Sequence, residues 1–186
     1  MKPDPADTQP SLAHLAAALQ RVQRVLRRRP EAGMEDDSTA SARWQGGARV
    51  ACSDASGVRI ETDMPPAIGG TAGQVSPGWL LRAGLASCAA TRIAMACAEE
   101  GVGLESLEVL AQSRSDARGL LGMTNEVGQA VDPGPVDVQL SVTISTRGAG
   151  DEQVRALVER AVRCSPVTSA LQDTTPVSIT IAVAGD

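Results

Sequence analysis

The strongest nucleophiles in this 186-residue sequence are its four cysteines, Cys52, Cys88, Cys97 and Cys164. A cysteine reacts as its thiolate, which a neighbouring cation stabilises. Arg92 follows Cys88 by four residues, so on a helix it could activate that thiol, or instead face solvent or pair with an acid. A buried cysteine with no activating neighbour behaves as a small apolar side chain, and we interpret Cys52 and Cys97 in this way. His14 is the single histidine and no C-x-x-C pair occurs, so we expect neither a metal site nor a cofactor.

Cys88 lies in the middle of segment 76–101, which has the local signals of one long helix. Ser76 is a favourable N-cap, Pro77 suits the first helical position, and Gly101 suits the left-handed residue at a helix end. Apolar or small residues occupy nearly every angle of the helical wheel, so we predict that this helix is buried on most sides. Two arginines interrupt the apolar run, which argues against a membrane span.

The composition restricts the possible functions. The sequence has two tryptophans but no Phe or Tyr, so the core must be aliphatic, and stacking of single-stranded nucleic acid is disfavoured. The net charge of -5 provides no global basic field for nucleic acid or anionic lipid. Because residues 1–11 lack the apolar stretch of a signal peptide, we expect a cytoplasmic protein whose cysteines stay reduced.

Residues 1–40 are predicted to form an N-terminal helical arm and linker, and residues 41–186 the folded domain. Apolar residues recur every three or four positions between Ser11 and Arg29, which predicts an amphipathic helix. Its other face carries five arginines, Arg21, Arg24, Arg27, Arg28 and Arg29. We interpret these as solvated residues of a helix that packs on the domain or on a partner subunit. Binding to a membrane surface or to nucleic acid is the alternative.

The remaining pattern is that of an α+β domain. Apolar alternation and turn signals predict β-strands in five segments: 41–53, 57–63, 104–115, 135–146 and 176–184. The first two segments flank a turn cluster and should form a hairpin. Residues 151–164 have the apolar stripe of a second helix, which Pro166 ends. We therefore expect helices packed on one face of a mostly antiparallel sheet, which is the arrangement of an α+β domain.

Two segments resemble the cysteine motifs of the OsmC/Ohr family. Segment 76–88, Ser-Pro-Gly-Trp-Leu-Leu-Arg-Ala-Gly-Leu-Ala-Ser-Cys, is similar to the first motif, and the loop over 67–70 is similar to the glycine-rich approach to it. Segment 164–171, Cys-Ser-Pro-Val-Thr-Ser-Ala-Leu, resembles the second motif. Segment 116–123 is similar to a stretch in one OsmC-like branch. The resemblance covers roughly residues 41–184 and preserves the order of the elements.

The resemblance implies an OsmC-like fold, in which antiparallel sheets pack on a long buried central helix and two chains form an intertwined homodimer. It also implies a thiol-dependent peroxidase for organic hydroperoxides, with Cys88 as the peroxidatic thiol and Cys164 as its resolving partner. The sulfenic acid formed at the first thiol condenses with the second to a disulfide. An external dithiol of the lipoyl or thioredoxin type then reduces this disulfide by exchange.

The sequence departs from the family pattern at three points. Gly78 and Trp79 stand where active members carry a carboxylate that organises the activating arginine. Ser165 separates Cys164 from the following proline, whereas the family motif places its cysteine directly before the proline. The activating arginine is not fixed by the motif, and the candidates are Arg49, which we predict, Arg43 and Arg92.

Two functions from different classes follow from these observations. The paired cysteines favour the organic hydroperoxide reductase, which is our prediction. The missing carboxylate and the displaced Cys164 favour an inactive OsmC-like dimer that binds a small apolar ligand in a cleft lined by Leu, Met and Ala.

Overall fold

A computed structural model describes residues 11–173 and 175–183 of the chain. Its helices are α1 (Leu12–Arg28), α2 (Pro77–Glu100), α3 (Ala117–Leu120), α4 (Asp151–Arg163) and α5 (Pro166–Gln172). Its strands are β1 (Ser41–Trp44), β2 (Val50–Ser53), β3 (Arg59–Thr62), β4 (Gly103–Arg114) and β5 (Val136–Arg147). Antiparallel sheets combined with one long helix confirm the predicted α+β class.

The long helix α2 begins and ends where the local signals predict. The Ser76 hydroxyl accepts a hydrogen bond from the backbone N–H three residues later at 3.1 Å, and Gly101 ends the helix with a φ of 70°. Ile93 and Cys97 of α2 meet Leu157 of α4 in the main core, which side chains of β4 and β5 cover. This core covers one face of α2. Six of the 24 residues of α2 are buried, so the prediction that the helix is buried on most sides is wrong for the single chain.

The elements α1, β4, α4 and α5 pack against α2. The arm helix α1 therefore lies on the domain, as the sequence indicated, and its arginines are exposed. By length and composition alone α2 could also cross a membrane, with a mean hydropathy of 1.3 over its apolar window. The core helix of a folded domain passes the same test, so this is weak evidence for a membrane span.

The first sheet has the order β1–β2–β3, and the second consists of β4 and β5. The predicted hairpin is confirmed, because β2 pairs antiparallel with β3. Within segment 41–53 a tight turn separates β1 from β2. In this turn the Gln45 N–H donates to the Arg49 carbonyl at 2.9 Å. Gly46 and Gly47 have φ angles of 102° and 58°, which glycine adopts without the strain that a side chain would cause.

One carboxylate organises the loop between β3 and α2. Asp63 is 1% exposed and accepts hydrogen bonds from the Thr71 hydroxyl at 2.6 Å, the Thr71 N–H at 2.9 Å and the Met64 N–H at 2.8 Å. These bonds, chiefly that of the Thr71 hydroxyl, lower the pKa of Asp63 from 3.8 to about 2. A Cβ atom on Gly70 would lie 1.8 Å from the Met64 carbonyl oxygen, so the loop has no room for a side chain there.

The predicted closing strand over 176–184 is wrong for residues 176–183, and residue 184 lies outside the described residues. Segment 176–183 forms no strand. Its apolar side chains were expected to face inward but are 81–88% exposed: Val177, Ile179, Ile181 and Val183. Alternation shows which face of an extended segment can be buried, but a strand also needs hydrogen bonds from a neighbouring strand. In the single chain this segment pairs with neither sheet.

Candidate functional site around Cys88

Cys88 lies in the middle of α2 as a half-buried free thiol. The next residue, Ala89, is fully buried, so the thiol lies at the boundary between the covered and the open side of the helix. The helical backbone fixes its position, while the partial exposure leaves an approach for a small electrophile. Partial exposure is one requirement of a reactive cysteine, and a cation that stabilises the thiolate is the other.

Arg92 lies one helical turn after Cys88 and pairs with an acid, which is one of the alternatives left open by the sequence. Its Nη2 atom donates to Glu99 Oε2 at 2.9 Å, and the two side chains are 22% and 25% exposed. Gln23 of α1 donates through Nε2 to the other carboxylate oxygen of Glu99 at 2.8 Å. The second guanidinium nitrogen, Nη1, is buried and has no hydrogen-bond partner among the described residues. The hydrogen bond from Gln23 thus joins the arm helix to the helix that carries Cys88.

Arg49, the predicted activating arginine, lies directly before β2 and is 50% exposed. Its Nη2 atom donates to Glu61 Oε2 on β3 at 3.1 Å. Hydrogen bonds from Arg59 and then Arg49 hold the pKa of Glu61 below its usual value. In the single chain this guanidinium therefore belongs to a surface ion pair. Arg43, the second candidate, is exposed on β1.

Cys164 is the exposed C-cap residue of α4, whereas Ser165 beside it is fully buried. Pro166 then begins α5, and both α4 and α5 pack against α2. The Ser165 hydroxyl has no hydrogen-bond partner among the residues that the structure describes. The residue directly before the proline therefore takes the inward position, and the extra serine leaves the Cys164 thiol at the surface.

The other two cysteines, Cys97 and Cys52, lie outside the two motif segments. Cys97 is fully buried in the core, and burial, with a smaller contribution from Glu100, raises the pKa of its thiol. Cys52 lies in β2. Within residues 11–173 and 175–183, no group of three or more His, Cys, Asp or Glu side chains could hold a metal ion. Burial excludes Cys97 alone, and Cys88 and Cys164 are the cysteines that lie in the two segments resembling the family motifs.

The sequence reasoning missed two residues of this site, Glu99 and Gln23. Glu99 follows Arg92 by seven residues, about two helical turns, so the sequence spacing already places both side chains on the same face of the helix. Gln23 could not be assigned without the position of α1 on α2, because 76 residues separate it from Glu99.

The family model for OsmC-like protein matches residues 70–180, which include Cys88 and Cys164. The fold is similar to the crystal structure of an OsmC like protein from Mycoplasma pneumoniae, with a TM-score of 0.62, 15% identity and coverage of 76% of this chain and 91% of that chain. An organic hydroperoxide resistance protein OsmC from Legionella pneumophila has a TM-score of 0.51 and 22% identity, covering 75% and 91%. The organic hydroperoxide resistance protein OhrB of Bacillus subtilis has a TM-score of 0.50 and 21% identity, covering 75% and 93%. At these identities the structural likeness establishes the fold alone. No curated protein matches the sequence significantly.

Proposed function

The chain belongs to the OsmC-like protein family, and on this premise we propose that it reduces organic hydroperoxides with a cysteine thiol as a defence against peroxide stress. The observation that carries the proposal is Cys88, a free and half-buried thiol on the central helix, inside the segment that matches the family. Two structural neighbours are organic hydroperoxide resistance proteins by name. Thiol chemistry in the reduced cytoplasm fits this role, because free cysteines persist there.

The proposed reaction uses two thiols in sequence. The Cys88 thiolate attacks one oxygen of the hydroperoxide; the O–O bond breaks, the alkoxide takes a proton and leaves as an alcohol, and Cys88 becomes a sulfenic acid. The Cys164 thiol then displaces the sulfenic hydroxyl, which leaves as water while a disulfide forms. An external dithiol of the lipoyl or thioredoxin type reduces the disulfide by exchange. The second step requires the Cys88 and Cys164 sulfurs to come within bonding distance, with Cα atoms no more than about 7 Å apart.

A cation must stabilise the Cys88 thiolate for the first step. Arg49 is the predicted residue; its ion pair with Glu61 uses Nη2 and leaves other guanidinium donors for a thiolate. Arg92 is the alternative on the same helix as Cys88. Substituting each arginine separately by alanine and measuring the rate of peroxide consumption distinguishes the two.

We propose that the active form is a homodimer, since apolar side chains of the single chain are left uncovered. Trp44 and Ile60 of the first sheet are 73% and 45% exposed, and Trp79 of α2 is 48% exposed. Segment 176–183, with four exposed apolar residues, has the alternation of a strand but no partner. Exposed apolar patches of this kind mark association surfaces.

The proposal is tested by steady-state consumption of cumene hydroperoxide with dihydrolipoamide as the reductant. The wild-type protein should turn over repeatedly, and the Cys88→Ser variant should lose activity to the background rate. The Cys97→Ser variant is the matched control, because Cys97 lies on the same helix but inside the core. Equal turnover by the wild-type and Cys88→Ser proteins would contradict the proposal.

A second function, a dimer that binds a small apolar ligand without peroxidase activity, is favoured by the buried Ser165 and the exposed Cys164. It predicts that the wild-type protein leaves the hydroperoxide intact. It also predicts a bound apolar molecule in native mass spectrometry of the purified protein. Rapid turnover with the dithiol would exclude this alternative.

A further inference from the structure

The Arg92 guanidinium is bonded to a residue on the C-terminal side of Arg92, whereas Cys88 lies on its N-terminal side. In a helix, side chains lean towards the N-terminus, and for Arg92 that direction leads to Cys88, one turn earlier. Its guanidinium instead bonds to Glu99, seven residues towards the C-terminus and about 10 Å along the axis. The ion pair therefore holds the guanidinium on the side of Arg92 that is remote from the thiol.

The arm helix stabilises this arrangement. Gln23 donates to the carboxylate oxygen of Glu99 that Arg92 leaves free, so the carboxylate is held by two residues from two helices. One donor of this arrangement lacks an acceptor, because Arg92 Nη1 is buried and has no hydrogen-bond partner within the described chain. A buried donor without an acceptor is unfavourable, and a nearby thiolate would supply an acceptor.

We propose that Glu99 and Gln23 are positioning residues that hold the Arg92 guanidinium away from Cys88, and that breaking this contact makes the Cys88 thiol more reactive. The N-terminal arm then restrains the thiol through the hydrogen bond between Gln23 and Glu99. When that bond opens, Arg92 can adopt the usual lean of a helical side chain and stabilise the thiolate. The inference rests on the proposed function only in taking Cys88 as the reacting residue.

The test is the rate at which iodoacetamide alkylates Cys88 at pH 7, followed by peptide mass spectrometry in the full-length protein. Glu99→Gln removes the negative charge and should raise the rate about tenfold, the effect of a cation brought close to a thiolate. Gln23→Ala should raise it by a smaller factor. The double variant Glu99→Gln/Arg92→Ala should lose the increase, because the increase depends on the guanidinium.

The matched control is Glu100→Gln, since Glu100 also forms a 2.8 Å ion pair from α2, with Arg160 of α4. It should leave the Cys88 rate unchanged. Alkylation of the buried Cys97 reports loosening of the fold, and it should stay slow in every variant. A Glu99→Gln rate that is unchanged or lower, or an increase that persists without Arg92, would overturn the inference. Because alkylation needs no peroxide, this result is independent of whether the protein is a peroxidase.

Discussion

Replacing Gly70 by alanine should destabilise the loop that leads into the central helix. The added Cβ would lie 1.8 Å from the Met64 carbonyl oxygen and 2.8 Å from the Asp63 carboxylate, whereas real Cβ atoms essentially never approach within 3.0 Å. The backbone must therefore separate by about 1 Å or more. That movement breaks the 3.0 Å hydrogen bond from the Ala72 N–H to the same Met64 oxygen and disturbs the bonds that Asp63 accepts.

The expected cost is about 3 kcal/mol, combining about 2 kcal/mol for overpacking with about 1 kcal/mol for the lost hydrogen bond. Urea unfolding followed by circular dichroism measures this cost directly. For a domain of this size it corresponds to a fall in Tm of roughly 10 °C. The lower stability should also reduce the yield of folded protein.

Gly33→Ala is the matched control, because the added Cβ would make only an ordinary contact, 3.5 Å from Leu26 Cδ2. Its stability should stay within about 0.5 kcal/mol of the wild type or increase slightly. A Gly70→Ala protein as stable as this control would refute the reasoning, since it would mean that the carbonyl of Met64 does not occupy the described position.

Two further predictions concern titratable groups. Because the pKa of Asp63 is lower in the folded chain than its usual 3.8, the ionised carboxylate stabilises the fold above pH 3.8, and this contribution is lost as the pH falls through about 2. The difference in urea midpoint between the wild type and Asp63→Asn should thus shrink over this range, and a difference independent of pH would contradict the assignment. Because burial raises the pKa of the Cys97 thiol, iodoacetamide at pH 7 should modify Cys88 well before Cys97; the reverse order would show that the core around Cys97 is open.

The sequence was sufficient for features that depend on local chemistry. Ser76 and Gly101 mark the ends of α2 because capping involves only residues within one turn of the helix end. The burial of Cys97 followed from the apolar surroundings of the helix on which it lies. The resemblance of residues 76–88 and 164–171 to the OsmC/Ohr motifs led to the family that the match over residues 70–180 shows.

Features that depend on which elements meet could not be derived in the same way. The alternation over residues 176–183 indicates a strand but cannot specify the sheet edge it would join, and the single chain offers it no partner. The pair of Arg92 with Glu99 lies within one helix, but the hydrogen bond that Glu99 accepts from Gln23 joins residues of two different elements. The displacement of Cys164 was visible in the sequence, but only the structure shows that Ser165 takes the buried position.

The central claim, that Cys88 is the thiol that reacts with peroxide, is tested most directly by a single turnover. Wild-type protein and the Cys88→Ser variant are each treated with one equivalent of cumene hydroperoxide, and the products are mapped by peptide mass spectrometry. In the wild type, Cys88 and Cys164 should form a disulfide, which lowers the mass of the linked peptides by two hydrogen atoms, and one equivalent of alcohol should be released. The variant should leave the peroxide unconsumed. Recovery of Cys88 as a free thiol from the wild type, with the peroxide intact, would contradict the claim.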